Sequence, residues 1–301
     1  MSGPIWRTTR FAIDLARPRV MGIVNVTPDS FSEGGAAVST ARAIARCEQL
    51  LEEGADLLDV GGESSRPGAL PVSVEEELAR VRPVLAAAVG LGCPVSIDTT
   101  KPDVMRVALD LGVDIVNDIA ALQEPGALEL VVASGSCGVC LMHMRGTPRS
   151  MQAEAKYEDV VSEVAAFLGR RVAATEAAGV DRTRIVIDPG IGFGKAPAHN
   201  VELLRRQESL LALGVPLLVG WSRKSTLARL LGLDATAPSG RSPLDQQRLA
   251  AASVAAAVLA VERGARIVRV HDVAATVAAL AVWNAAGADN RPDPSSDPAR
   301  P

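Results

Sequence analysis

Asp98, Asn117 and Asp188 each close a short apolar run, as does Asn25, Asp59 stands near the end of one, and Arg269 and His271 straddle the end of another. Two carboxylates and an amide in one cup would offer acceptors and donors to a flat heterocycle bearing several N–H groups and a carbonyl. Such a site selects by leaving the polar groups of a wrong ligand unpaired. Any one of these residues is as readily a helix cap. Five of them at equivalent places argue for a site instead.

Arg269 and His271 stand two residues apart, so on a strand their side chains share a face. With Asn25 they could grip an anion such as pyrophosphate, together with Mg²⁺, which favours oxygen ligands and shares them with substrate phosphates. The competing reading pairs Arg269 with a core carboxylate and lets His271 cap a helix. His143 and His199 read as loop or structural residues.

These residues need elements that gather them. Eight apolar runs, at 20–25, 57–61, 94–98, 114–118, 139–142, 184–188, 215–220 and 266–270, alternate with stretches of helical character. Parallel strands joined by crossover helices give this pattern. The rival to closure is an open doubly wound sheet. The count of eight and a polar group at every strand edge favour a single (β/α)8 TIM barrel, whose C-terminal strand ends share one mouth. There Asn25, Asp59, Asp98, Asn117, Met142, Asp188, Lys224, Arg269 and His271 become neighbours.

Residues 1–19 fall outside the repeat, and 5–7 could pair with 11–13 as a hairpin closing the barrel bottom. The barrel proper spans 20–286. Residues 287–301, rich in proline, aspartate and serine, read as a disordered tail. Ser39 is placed to cap the first helix and Gly54 to end it; Ser73 with Glu76 forms a capping box for the second. A helix runs from about 157 to 178, stopped by Gly179.

The run Gly190-Ile191-Gly192-Phe193-Gly194-Lys195 resembles a phosphate loop only superficially. Its spacer is one residue short and Ala196 follows the lysine, nor is it a dinucleotide fingerprint. Its glycines are expected to let backbone approach a ligand, with Phe193 as an apolar wall. No nucleophile elbow, no H-E-x-x-H and no paired Cys and His stand out, which favours chemistry without a covalent intermediate.

Composition excludes other classes. A net charge of −4 with interspersed signs offers no basic stripe for nucleic acid. No signal-peptide pattern opens the chain. The longest apolar run, 249–261, falls short of the ~20 residues that span a bilayer. A cytoplasmic protein without a membrane partner is expected. Of four cysteines, only Cys137 and Cys140 form a motif, open to redox or zinc readings. An offset of three on a strand sends the two thiols to opposite faces, as core cysteines. The alanine-rich helix from about 243 to 263 is apolar nearly all round, which suggests burial against the barrel or a second subunit. A homodimer is expected.

Seven segments in order resemble the dihydropteroate synthase family over residues 18–286. They are Asn25-Val26-Thr27-Pro28-Asp29-Ser30-Phe31-Ser32-Glu33-Gly34-Gly35, Gly61-Gly62-Glu63-Ser64-Ser65-Arg66-Pro67-Gly68, Ser96-Ile97-Asp98-Thr99 and Val116-Asn117-Asp118. The others are Asp188-Pro189-Gly190-Ile191-Gly192-Phe193-Gly194-Lys195, Ser222-Arg223-Lys224-Ser225 and Arg269-Val270-His271-Asp272-Val273. The resemblance implies condensation of 6-hydroxymethyl-7,8-dihydropterin pyrophosphate with p-aminobenzoate, giving dihydropteroate and pyrophosphate in folate biosynthesis.

On that resemblance Asp98, Asn117, Met142, Asp188, Gly220 and Lys224 hold the pterin. Asn25, Arg66, Arg269 and His271 hold the pyrophosphate, with Mg²⁺ on Asn25. Thr27, Ser65, Arg66, Pro67, Phe193, Lys224 and Ser225 shape the aminobenzoate slot, and Asp98, Lys224, Arg269 and His271 carry the chemistry. Thr27 to Gly35 would form a mobile lid. Glu33 and Ser65 depart from the family's commoner Asp and Thr, each keeping a polar group. The alternatives are a pterin-dependent methyltransferase, which needs no pyrophosphate clamp, and a non-catalytic pterin-binding paralogue.

Overall fold

The computed structural model describes residues 4–27, 35–66, 68–151, 153–234 and 241–287. Most of the expected lid (28–34), Pro67 and the tail from 288 onward lie outside the described residues.

An antiparallel hairpin, β1 (Ile5–Arg7) and β2 (Ala12–Asp14), precedes eight parallel strands. These are β3 (Arg19–Asn25), β4 (Leu57–Gly61), β5 (Val95–Asp98), β6 (Ile115–Asp118), β7 (Gly138–Met142), β8 (Ile185–Asp188), β9 (Leu218–Val219) and β10 (Ile267–Val270). Their order is β8-β7-β6-β5-β4-β3-β10-β9, and a bridge between Ile187 and Leu217 joins the outer two into a barrel. The seventh run of the sequence shrinks to two regular strand residues. Pro216 has no N–H for the ladder, so its carbonyl makes the closing bond from Ile187 N at 3.0 Å.

The helices are α1 (Gly35–Glu52), α2 (Val74–Val89), α3 (Pro102–Asp110), α4 (Ala127–Ser134), α5 (Val160–Ala177), α6 (Pro197–Arg205), α7 (Ser225–Leu230), α8 (Pro243–Glu262) and α9 (Val273–Gly287). The barrel therefore begins at Arg19, and its last helix ends at Gly287, one residue beyond each expected boundary. Ser39 lies inside α1 and does not cap it. Ser73 caps α2 by accepting from Glu76 N at 3.1 Å. The reciprocal half of that box is missing, because the Glu76 carboxylate pairs with Arg80 one turn on.

Period-two alternation sorts each strand into two environments. One set, including Val20, Val24, Leu58, Val60, Val95 and Ile97, packs beneath the helices. The other set, Met21, Leu57, Ile115, Cys140, Val186, Leu218 and Ile267, fills the barrel interior. Cys137 belongs to the first set and Cys140 to the second; all four cysteines are free and buried. The expected opposite facing is what the strand delivers.

The hairpin closes the interior from below. Trp6, Ile13 and Leu15 join the inner cluster, and Trp6 Nε1 donates to Arg184 O at 2.9 Å. Gly138, where β7 begins, lies so close under Trp6 and Thr8 that a Cβ would come within 3.0 Å of both. Arg10 pairs with the buried Asp114 at 2.6 Å, and Asp114 also accepts from Val95 N at 2.9 Å. Every one of these anchors sits at a strand's N-terminal end.

One face of α8 is buried, as expected of a helix packed against the barrel. Leu249, Ser253, Ala256, Ala257, Ala260 and Val261 face the barrel, while Leu244 and Leu259 on the same helix and Val282 on α9 are exposed. Among the described residues no helix is long and apolar enough to cross a membrane.

Candidate active site at the barrel mouth

The same alternation that fills the interior builds the site. Two residues beyond Ile115, Cys140, Val186, Leu218 and Ile267 stand Asn117, Met142, Asp188, Gly220 and Arg269 on the same inward parity. Register then sets their height. Asn25 pairs with Gly61, Gly61 with Asp98 and Asp98 with Asn117, so three of the expected side chains stand at one level. Met142 pairs with Asp188 further round.

One layer deeper, Asp59 is fully buried. Its Oδ2 accepts from Arg269 Nε at 2.5 Å and from Asn117 Nδ2 at 3.2 Å, while Arg269 Nη2 reaches Asp98 Oδ2 at 2.7 Å. Arg269 thus does pair with core carboxylates, as the competing reading has it. The fork leaves Nη1 without a protein partner among the described residues, and Asp59 Oδ1 is a buried acceptor in the same position. Both are groups that a ligand can meet.

Burial governs the titration of this floor. It pushes Asp98 up to about 7, opposed by Arg269 and reinforced by Asp59. Burial raises Asp188 as well, opposed by the Gly190 N–H and by Lys224. Lys224 is driven down to about 8 by burial, with Asp188 pulling the other way. Its ammonium lies 4.1 Å from the centre of the Phe193 ring, a cation–π contact.

Lys224 is placed by an unusual turn. Arg223 adopts φ +58°, a left-handed conformation that is rare for a side-chain-bearing residue. It is held there by its N–H on Ser253 Oγ at 2.9 Å and by an ion pair with Asp272 at 2.6 Å. The turn sends Arg223 out to solvent and Lys224 against Phe193. Beside it, Ser222 Oγ lies 3.0 Å from His271 Nδ1 and accepts from the His271 backbone N–H at 3.1 Å.

Two of the glycines after β8 approach the chain itself. Gly190 and Gly194 have φ of +67° and +63°, and a Cβ would come 1.9 Å from His143 O and 2.6 Å from Arg145 O respectively. Lys195 explains the embrace. Buried at 2% exposure, it places Nζ 2.8 Å from His143 Nδ1 and 2.9 Å from both Gly190 O and Phe193 O. Burial first, then Lys195 and Arg145, lower His143 to about 2. It is therefore neutral. Asn200 completes the lock by accepting from Gly192 N and donating to Thr226 Oγ1, each at 2.9 Å.

The remaining candidates stand nearer the surface. Arg66 and Ser225 are exposed, and Ser65, Thr27 and Asn25 are half-buried. The loop bearing Ser65 and Arg66 is anchored by Lys101, which pairs with Glu63 and, at 2.6 Å, with the buried Glu77. Lys101 and Asn200 have no role in the sequence reading, while Lys195 and Ser222 stand within segments of the family resemblance without a role of their own. For the two lysines the available signal is that a lysine drawn out of water must find acceptors.

Among the described residues no group of three His, Cys, Asp or Glu converges to hold a metal. Asn25 supplies one amide oxygen at the end of β3. Such a donor set suits a hard cation that arrives with phosphate oxygens and keeps its waters, not a caged structural ion. Two open grooves of roughly 600 and 700 Å³ lie on the outer flank beside Tyr157. They contain none of the strand-end groups, so the mouth is the better site.

A sequence profile described as pterin binding enzyme matches residues 21–271. A dihydropteroate synthase of Neisseria meningitidis serogroup C is 51% identical over 290 residues, spanning 95% of this chain and 99% of that protein. The Escherichia coli K12 dihydropteroate synthase is 46% identical over 275 residues, 91% of this chain and 93% of its own. Among solved structures, Xanthomonas albilineans dihydropteroate synthase with 4-aminobenzoic acid superposes with a TM-score of 0.87 at 50% identity, covering 96% of this chain and 100% of the other. The same organism's enzyme in complex with 7,8-dihydropteroate gives 0.83 at 48% identity, covering 95% and 100%.

Proposed function

The chain belongs to the pterin-binding enzyme family, among its dihydropteroate synthases, and we infer that its barrel mouth binds the two substrates in layers and uses Arg269 as the pivot between them. The reaction condenses 6-hydroxymethyl-7,8-dihydropterin pyrophosphate with p-aminobenzoate. The methylene carbon loses its bond to the pyrophosphate oxygen and gains one to the aryl nitrogen, which releases a proton.

The observation that carries this reading is the fork of Arg269 between Asp59 and Asp98, with one nitrogen left over. Asp98, Asn117, Asp188 and Lys224 form the floor for the pterin, with Met142 and Gly220 beside it. The carboxylates favour positive charge on the pterin methylene as the leaving group departs. Arg269, His271 and Arg66 supply donors where negative charge collects on the pyrophosphate. Each well-aimed donor of this kind contributes roughly 10²–10³ in rate.

Asn25 would hold Mg²⁺ together with pyrophosphate oxygens, and the cation would add neutralising charge on the leaving group. Phe193, with Lys224 over its ring, walls the aminobenzoate slot, and Ser65, Thr27 and Ser225 border it. The amine of p-aminobenzoate is already nucleophilic, so no strong base is required. Relatives at about half identity over nearly the whole chain are synthases, which favours this reading over a methyltransferase or a non-catalytic paralogue. The protein acts in the cytoplasm as a homodimer, its exposed Leu259 and Val282 supporting contact between copies through α8 and α9.

The test is product formation. Dihydropteroate and pyrophosphate should appear in equal amounts when both substrates and Mg²⁺ are supplied, and omission of any one should abolish both. Tight pterin binding without pyrophosphate release would reject the assignment.

A further inference from the structure

We propose that Ser222 is a positioning residue that holds His271 as a neutral imidazole with its proton on Nε2, so that the ring meets an anionic ligand as a hydrogen-bond donor and not as an acid. The proposal rests on the reading of His271 as part of the pyrophosphate site.

The assignment follows from counting protons. Ser222, 6% exposed, places its Oγ 3.1 Å from the His271 backbone N and 3.0 Å from its Nδ1. A backbone N–H can only donate, so Oγ is its acceptor. The hydroxyl's single proton has no other acceptor among the described residues, so it points at Nδ1. Nδ1 then carries a lone pair, and the ring proton is on Nε2. The backbone is fixed from the other side, since Arg46 Nη2 donates to His271 O at 2.7 Å and Arg46 Nη1 is itself held by Glu53 at 3.0 Å.

The surroundings keep the ring neutral. Burial, then the charges of Arg223, Arg269, Arg66 and Lys224, hold His271 well below the ordinary histidine range. The adjacent carboxylate, Asp272, is engaged by Arg223 at 2.6 Å. A neutral imidazole cannot hand its Nε2 proton to a phosphate, but it can donate a hydrogen bond that strengthens as charge builds on the leaving oxygen.

The full chain labelled with ¹⁵N-histidine tests this directly. It has three histidines, and loss of one signal set in His271→Ala identifies the right one. The expected spectrum shows an unprotonated Nδ1 and a protonated Nε2, unchanged from pH 6 to 9. A proton on Nδ1, or an imidazolium at pH 7, would overturn the proposal. Ser222→Ala should give a mixture of tautomers and lower kcat roughly tenfold with little change in KM for the amine, and Ser222→Thr should restore both. An unaltered tautomer in Ser222→Ala would overturn the role of Ser222. Inorganic pyrophosphate should shift the Nε2 proton. If the tautomer is as stated but pyrophosphate leaves it unmoved, the anion-binding role of His271 fails while the tautomer assignment stands.

Discussion

Arg269 Nε meets Asp59 Oδ2 at 2.5 Å although 210 positions separate them in the chain. The contact joins β4 to β10 across β3, and it ties the deepest acidic group of the barrel to the residue that the leaving group should meet. Removing one partner of a buried pair costs more than the pair contributes, because the other charge is left uncompensated. Asp59→Ala should therefore lose about 3–5 kcal/mol of stability, read as a lower urea midpoint at unchanged slope. A loss below 1 kcal/mol would mean that Arg269 is compensated by Asp98 alone.

Lys224 sets a pH dependence. Its folded value, near 8, lies below the ordinary 10.5, so between those values the unfolded chain holds more protons. This group by itself then makes stability rise with pH over that window. Affinity for the pterin should move the opposite way, falling as pH passes 8 and the ammonium is lost. Lys224→Arg keeps its charge and should lose the alkaline fall that is due to this group. Pterin titrations at pH 7, 8 and 9 check this, and an equal alkaline fall in both proteins would assign the titration to another group.

Lys195 is expected to matter without touching substrate. Lys195→Met strands the carbonyls of Gly190 and Phe193 and the Nδ1 of His143, at about 1–3 kcal/mol for each unsatisfied group. Gly190→Ala should be worse, since a Cβ 1.9 Å from His143 O forces the two loops apart. Thermal melts of both variants should show Gly190→Ala as the less stable protein; the reverse order would place the strain elsewhere.

Arg269→Ala and His271→Ala should separate turnover from pterin binding. His271→Ala is expected to lose roughly 10²-fold in kcat while binding a pterin that lacks the pyrophosphate almost normally. Arg269→Ala should lose more, because it also frees two carboxylates in the floor. Calorimetric titration beside a pyrophosphate-release assay distinguishes the cases, and parallel loss of binding and turnover in His271→Ala would remove it from the leaving-group site.

Local patterns made the barrel and most of its rim readable. In five of the eight runs the residue two beyond an interior apolar group points into the mouth, which needs only strand periodicity. What periodicity lacks is partners. Nothing near Asp59 in sequence indicates that it binds Arg269, nor near Lys195 that it binds His143, because these pairs form only when the sheet closes. The glycines around Phe193 carried a true signal, a demand for positive φ and close approach, but not the identity of what they approach. Ser39 misled for a simpler reason: good capping chemistry is also compatible with a helix that starts a turn earlier.

The hairpin under Trp6 has a kinetic consequence. With the lower end of the barrel stoppered, both substrates and both products share one doorway, and the pterin floor lies farthest from it. An aminobenzoate that arrives first would stand in the path of the pterin. With the substrates at the proposed site, pterin pyrophosphate should bind first and the amine second, and product-inhibition patterns should show ordered rather than random addition.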